Sequence, residues 1–226
     1  MSTNVPPSSR TDEAAKLQIL ATEHWSLLAT RSLTYTESLN RVTIFLAILS
    51  GAVIALALVA QADGFGRTTV SIAIPVLCVV LFTGIATIMR LTALNRDDYR
   101  WVIGMNRLRH AYLELHPELE PHFVTSQYDD LRGALQTLGV SATAGRGVGS
   151  ALHVLQTLPG ILTIIVAAIG GALGALAGLA LAIPPLGMVL LAAFVFVAVV
   201  VLMGLWTRGS FGRTDPILEP RFPSRS

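Results

Sequence analysis

The chain has 226 residues, of which 53% are hydrophobic and only 13% are charged, and its mean hydropathy is +0.64. Soluble domains carry about a quarter of their residues as charged side chains, so this composition excludes an ordinary water-soluble globule and indicates a chain embedded in lipid. The formal net charge of +2 is too small to indicate a protein that binds nucleic acid.

Two apolar segments before Arg90 contain 21 and 22 consecutive residues without a charged side chain. Each is close to the roughly 20 residues that a helix needs to cross the hydrocarbon core. We predict transmembrane helices at about 43–61 and 69–89, which form a first hairpin over 43–89. Glycines in the short connection between them are typical of a tight turn.

A later run of 61 residues contains no Asp, Glu, Lys or Arg, and it is too long for one crossing. Two consecutive prolines, Pro184 and Pro185, predict a break inside this run because proline cannot continue a helix. We therefore predict a second hairpin over 153–206, with helices at about 158–182 and 186–206. The expected fold class is all-α, a polytopic membrane protein with four transmembrane helices as two hairpins plus cytoplasmic amphipathic helices.

The basic residues predict the orientation of these helices. Of the 16 Lys and Arg residues, 15 lie on the same side as the N terminus, and only Arg67 falls in an outer loop. Short loops rich in basic residues stay in the cytoplasm. Both termini are therefore predicted to be cytoplasmic, with the lipid bilayer as the main partner.

Four segments outside the hairpins complete the predicted organisation. Residues 1–11 and 207–226 are polar and rich in proline, and we predict flexible ends there. Residues 12–42 show helical periodicity and are predicted to form a cytoplasmic helix that runs directly into the first span. Residues 90–152 are predicted to form a cytoplasmic helical segment and a linker.

Small residues at four-residue spacing let transmembrane helices approach closely. The sequence has two such helix-packing faces, one in the third span and a weaker one in the first, formed by Gly170, Gly174 and Gly178 and by Ala47, Gly51 and Ala55. The pattern does not distinguish packing within the chain from self-association, so both interpretations stay open.

The segment after the second span is predicted to be a basic amphipathic helix, with an apolar face and a face of arginines. Packing of the apolar face on the N-terminal helix is favoured, with the arginines solvated or touching lipid headgroups, over a dedicated phosphate or nucleotide site. The residues predicted to contact lipid or a partner are Arg96, Arg100, Trp101, Arg107 and Tyr112.

No motif in the chain predicts catalysis. Three histidines near three carboxylates within 110–122 suggest a metal site, but their spacing matches no tetrahedral signature and two prolines favour a rigid turn. The glycine-rich segment 145–150 lacks the lysine of a phosphate loop and is predicted to be a linker. No nucleophile has a base beside it. We therefore predict no enzyme, with no catalytic residue, cofactor or metal.

A long helix that runs into a first span, a tight hairpin, and a second span that continues into a basic helix cover about residues 14–125. The residues that carry this pattern are Arg31, Tyr35, Tyr99, Arg100, Trp101 and Arg107. This organisation resembles the bacterial SLATT-type two-span membrane proteins. The resemblance implies a pore-forming effector associated with nucleotide signalling in a bacterial inner membrane. This chain adds a second, glycine-rich hairpin.

Two functions follow as expectations. The first is an oligomeric, pore-forming membrane effector that is regulated through its cytoplasmic helices, with a homo-oligomer and a cytoplasmic protein or nucleotide signal as partners. The alternative is a non-conducting scaffold that anchors a cytoplasmic partner through the face from Trp101 to Leu115.

Overall fold

The structure is a computed structural model, and it describes residues 7–64, 66–139, 157–211 and 219–224. The predicted linker at 145–150 lies outside the described residues. The helices in chain order are α1 (Pro7–Asp63), α2 (Arg67–Leu115), a 3₁₀ helix (Pro117–His122), α3 (Leu131–Thr137), α4 (Leu158–Ala180) and α5 (Pro185–Phe211).

Four of these helices, α1, α2, α4 and α5, are long and apolar enough to cross a membrane. The described ranges contain no β-strand. The predicted fold class is confirmed, and the chain is an all-α polytopic membrane protein.

Helices α1 and α2 are much longer than a membrane crossing requires. They contain 57 and 49 residues, which correspond to about 85 Å and 74 Å at a rise of about 1.5 Å per residue. The hydrocarbon core is only about 30 Å thick. Helix α1 passes through the predicted boundary at 42 without a break, because neither glycine nor proline occurs between residues 11 and 50.

Contacts within the chain group it into two compact units. The first, which we call the polar unit, comprises Met1–Thr36, Asn95–Gly145 and Thr214–Ser226. The second, which we call the membrane unit, comprises Glu37–Leu94 and Arg146–Arg213. Helices α1 and α2 each contribute residues to both units.

The core of the membrane unit is apolar and includes side chains of α1, α2 and α4. Gly84 of α2 is buried in this core, and a Cβ atom at that position would lie 2.5 Å from Val166 Cγ2 and 2.9 Å from Phe45 Cε2. Three helices therefore meet at a residue that has no side chain. The fully buried side chains of this core include Phe45, Val80, Ile88, Leu162 and Val166.

The predicted glycine face of the third span packs against α5 of the same chain. A Cβ atom on Gly174 would lie 3.2 Å from the main-chain oxygen of Leu191 and 3.2 Å from Val195 Cγ2. Gly170 and Gly178 are buried on the same face of α4. Within one chain, this face of α4 is therefore covered by α5.

The face of the first span has a different environment. Ala47, Gly51 and Ala55 are all exposed on α1, and a Cβ atom on Gly51 would meet nothing within 4 Å. No other described part of the chain packs on this face at Gly51. Small residues at four-residue spacing thus form a packed helix contact in α4 and an exposed surface in α1.

Candidate functional site

In the polar unit, α1 and α2 lie side by side as an antiparallel pair. The Arg31 guanidinium donates to both carboxylate oxygens of Asp98, with Nε to Oδ1 at 2.6 Å and Nη2 to Oδ2 at 3.3 Å. The rings of His24 and Tyr112 lie 6.2 Å apart. His24 lies before Arg31 in α1, whereas Tyr112 lies after Asp98 in α2, so the two helices run in opposite directions. The two-point pairing of a guanidinium with a carboxylate fixes the angle between the groups as well as their distance.

The membrane unit has a second ion pair between the same two helices. Glu37 accepts hydrogen bonds from Arg90 of α2, with Nε at 2.9 Å and Nη2 at 3.0 Å from its carboxylate oxygens. Arg41, one turn along α1, donates from Nε to the same carboxylate at 2.8 Å. Each unit therefore contains a two-point arginine to carboxylate contact that joins α1 to α2.

Asn106 is a fully buried amide that connects α2 to the segment before α3. Its Nδ2 donates to the main-chain oxygen of Tyr128 at 2.7 Å. Its Oδ1 accepts from Thr137 Oγ1 at 2.9 Å and from Arg109 Nη1 at 2.7 Å. A buried amide with both ends bonded fixes its neighbours in one arrangement, because any shift leaves a buried polar group without a partner.

Gly133, in the first turn of α3, makes this arrangement sterically possible. A Cβ atom at Gly133 would lie 2.1 Å from the main-chain oxygen of Tyr128, so every other residue would displace that carbonyl group. The Asp130 side chain caps α3, accepting from the Gly133 N–H at 2.7 Å. These contacts therefore hold Asp129 and Asp130 in place just before α3.

We call Asp129, Asp130, Arg107 and His110 the Asp129 clamp. The Asp129 side chain is completely buried, and Arg107 Nε donates to its Oδ2 at 2.7 Å. The main-chain N–H of Arg221 also donates to Asp129 Oδ2, at 2.9 Å. A buried carboxylate is tolerated only when hydrogen bonds replace its lost hydration, and part of that replacement comes from residues near the C terminus.

Residues 219–224 lie across the clamp and bend at Arg221 and Phe222. The Phe222 N–H donates to Asp129 Oδ1 at 2.8 Å, and the Asp129 N–H donates back to the Phe222 carbonyl at 3.2 Å. Ser224 donates to Asp130 Oδ2 from its main-chain N–H at 2.9 Å and also from its hydroxyl group. The Phe222 ring stacks on His110 with centroids 4.0 Å apart. This contact was not predicted for the C-terminal segment.

The hydrogen bonds to Asp129 change its acidity. Burial by itself raises the pKa of the Asp129 carboxyl, but donation from the Arg221 N–H, the Arg107 guanidinium and the Phe222 N–H outweighs burial. The pKa of Asp129 therefore lies below its ordinary value, and the ionised form is the one that the clamp requires.

A pH dependence of the clamp follows. Because the folded state lowers the pKa of Asp129, its contribution to stability is complete above the unfolded pKa of about 3.9 and is lost as pH falls through the folded value. We expect the Phe222 amide to be less protected from hydrogen exchange at pH 2.5 than at pH 6, after correction for intrinsic rates. Mass spectrometry measures this, with the Gly174 amide as an internal control that keeps its protection. Equal protection of the Phe222 amide at both pH values would contradict the predicted pH dependence of the clamp.

The residues predicted to contact lipid or a partner are located in the polar unit. Arg107 belongs to the Asp129 clamp, so its guanidinium binds a carboxylate of the same chain. Arg100 Nη1 lies 3.2 Å from Asp97 Oδ1 within α2. The remaining three are half-buried: Arg96, Trp101 and Tyr112.

The histidines considered for a metal site have other neighbours. His116 Nδ1 lies 3.1 Å from Glu118 Oε1, and His116 Nε2 lies 3.5 Å from Glu13 Oε1. His110 Nε2 lies 3.5 Å from Glu114 Oε1. Within the part of the chain that the structure describes, no group of three or more His, Cys, Asp or Glu residues could hold a metal ion.

Comparison with known proteins found no matching family model, no matching curated protein and no matching solved structure. The fold and the site nevertheless define the class of protein. It is a multi-pass, all-α membrane protein whose first two transmembrane helices extend into a folded polar unit. That unit holds residues 219–224 on a buried carboxylate.

Proposed function

We propose that the protein is an oligomeric, pore-forming effector of a bacterial inner membrane, with the polar unit and both termini in the cytoplasm. The observation that carries the proposal is the continuity of α1 and α2, each of which runs unbroken through both units. A continuous helix transmits displacement along its axis, so a rearrangement in the polar unit moves the first two spans. The orientation rests on the basic residues, 15 of 16 of which lie on the cytoplasmic side in this topology.

The packing of the membrane unit supports an oligomer as the conducting form. Its core in a single chain is filled by apolar side chains such as Phe45, Ile88 and Val166, which are essentially inaccessible to solvent. An ion path through such a core would lack the polar groups or water that conduction requires. A pore would therefore form between copies, and the exposed face of Ala47, Gly51 and Ala55 offers a surface on which helices of two copies can approach closely.

The ion pairs between α1 and α2 are the proposed control points. Arg31 and Asp98 hold the two helices together in the polar unit, at side-chain exposures of 32% and 31%. A ligand or partner protein that competes for either group would alter the spacing of the helices. The nucleotide signal implied by the resemblance to SLATT-type proteins carries phosphate groups that an arginine recognises.

Charge reversal at this pair tests the proposal. We expect Arg31→Asp and Asp98→Arg to change ion flux through proteoliposomes by roughly tenfold, because each places like charges at the contact. The double reversal restores opposite charges, so flux should return to within about twofold of the wild type. The measurement is dye or potassium flux together with the oligomeric state in mild detergent.

Asp97→Arg is the matched control for this experiment. Asp97 pairs with Arg100 inside α2 and does not join it to α1, so its reversal should leave flux unchanged. If neither the wild type nor any variant conducts ions in proteoliposomes, the proposal of a pore is overturned. A flux change that the double reversal does not restore would overturn the role of the pair.

The alternative function, a non-conducting anchor for a cytoplasmic partner, has less support. Met105 lies on the face from Trp101 to Leu115 and is 2% exposed, while Tyr112 of the same face lies near His24. Much of that face is therefore covered by contacts within the polar unit. The flux assay separates the two functions, because an anchor leaves every variant impermeable.

A further inference from the structure

The Asp129 clamp binds main-chain groups of a peptide segment that bends at Arg221 and Phe222. Asp129 and Asp130 accept the amide N–H groups of Arg221, Phe222 and Ser224. The Asp129 N–H donates to the Phe222 carbonyl oxygen of the same segment. In addition, an arginine of the clamp donates from Nη2 to the Glu219 carbonyl at 2.8 Å.

Selectivity comes from one ring and from the pattern of prolines. Phe222 stacks on His110, with an angle of 24° between the ring planes. Within residues 219–224, Pro220 and Pro223 have no N–H group, and the three amides that the clamp binds are those between and after them. Each proline also fixes its own φ angle, which reduces the number of conformations of the free segment and lowers the entropy lost on binding.

The clamp is held in place by contacts that do not involve the C-terminal segment. Arg107 binds Asp129, and Asp130 caps α3 through the Gly133 N–H. Asn106 fixes the carbonyl of Tyr128, the residue before Asp129. A shallow cleft of about 340 Å³ lies beside the stacked rings and is lined by His110, Gln127, Tyr128, Phe222 and Pro223.

We propose that the Asp129 clamp is a peptide-recognition site and that residues 219–224 are its resident, displaceable ligand. The ligand class is a short peptide that bends between two prolines and presents two consecutive amides there, the second of which belongs to an aromatic residue. Loss of the segment without replacement leaves the buried Asp129 with fewer donors, so exchange for a similar peptide is favoured over an empty site. The proposal holds whether or not the protein conducts ions.

Peptide binding by the full chain tests the proposal. The variant Arg221→Pro/Phe222→Ala removes one bound amide and the stacked ring from the resident segment while leaving the clamp intact. A fluorescent peptide with the sequence of residues 219–224 is the probe, and fluorescence polarisation in detergent micelles is the readout. We expect the variant to bind the probe at least about tenfold more tightly than the wild type, whose tethered segment competes at an effective concentration of millimolar order.

Two altered probes serve as matched controls. N-methylation of the probe amide equivalent to Phe222 removes the donor to Asp129 Oδ1 and keeps every side chain. Alanine at the same probe position removes the ring that stacks on His110. Each change should weaken binding at least about tenfold. Equal binding of the N-methylated probe, or no binding of the parent probe to the variant, would overturn the recognition site.

A second measurement uses the wild-type protein, so that it does not depend on folding of the variant. An excess of unlabelled peptide should accelerate hydrogen exchange of the resident Phe222 amide by at least about fivefold, because it occupies the clamp when the segment leaves. The N-methylated peptide should have no such effect. Exchange that no peptide alters, or wild-type protein that binds the probe as tightly as the variant does, would overturn the displaceable ligand.

Discussion

Replacement of Gly84 by leucine is expected to disrupt the membrane unit. A Cβ atom at this position would lie 2.5 Å from Val166 Cγ2 and 2.9 Å from Phe45 Cε2, and the longer side chain must push α1 and α4 away from α2. Forced insertion into a packed core typically costs about 1–3 kcal/mol and sometimes more. Because two helices must move, we expect the free energy of unfolding to fall by about 3 kcal/mol. Thermal unfolding in mild detergent, followed by size-exclusion chromatography, measures the loss.

Gly204→Leu is the matched control. Gly204 lies in α5, is exposed, and would place a Cβ atom where nothing lies within 4 Å. The same substitution there adds apolar surface that faces lipid and should leave the unfolding temperature unchanged or raised. If the Gly84→Leu and Gly204→Leu variants proved equally stable, the prediction that α1 and α4 pack closely against α2 at Gly84 would be wrong.

The fold of the membrane unit could be predicted from the sequence in class but not in its contacts. Long uncharged runs specify spans because lipid offers no partner for charge or for free main-chain groups. The spacing of Gly170, Gly174 and Gly178 marked a contact face, yet the same spacing at Gly51 marks an open surface. Gly84 stands outside any repeat, so only the approach of other helices reveals its role.

The candidate site was less accessible to sequence reasoning. Helical periodicity placed Arg107 on a basic face, for which water or lipid headgroups were the expected partners. Its partner Asp129 is 22 residues away, and the segment bound to Asp129 begins 112 residues from Arg107. Periodicity describes neighbours within one helix and carries no information on such distant pairs. Asp130 could have been found, since an aspartate just before a short helical pattern is an N-cap signal.

Asp129→Asn should destabilise the polar unit and release the C-terminal segment. Asparagine has nearly the same shape as aspartate, but it removes the negative charge and turns one acceptor into a donor. That donor would face the N–H of Phe222 or the groups of Arg107 and Arg221, which converge on the two oxygens of a fully buried side chain. Breaking a buried charge pair by removing one partner costs about 3–5 kcal/mol. We expect a loss of about 3 kcal/mol, since Arg107 retains 21% side-chain exposure and recovers some hydration.

Asp97→Asn separates this effect from a general loss of negative charge. Asp97 lies on the same unit and pairs with Arg100 across one turn of α2, with 29% side-chain exposure, so its loss should cost less than about 1 kcal/mol. Chemical unfolding gives both free energies, and hydrogen exchange at the Phe222 amide reports the segment directly. Asp129→Asn should abolish protection there, whereas Asp97→Asn should preserve it. Full protection of Phe222 in Asp129→Asn would show that the ring stacking on His110, and not the carboxylate, holds the segment.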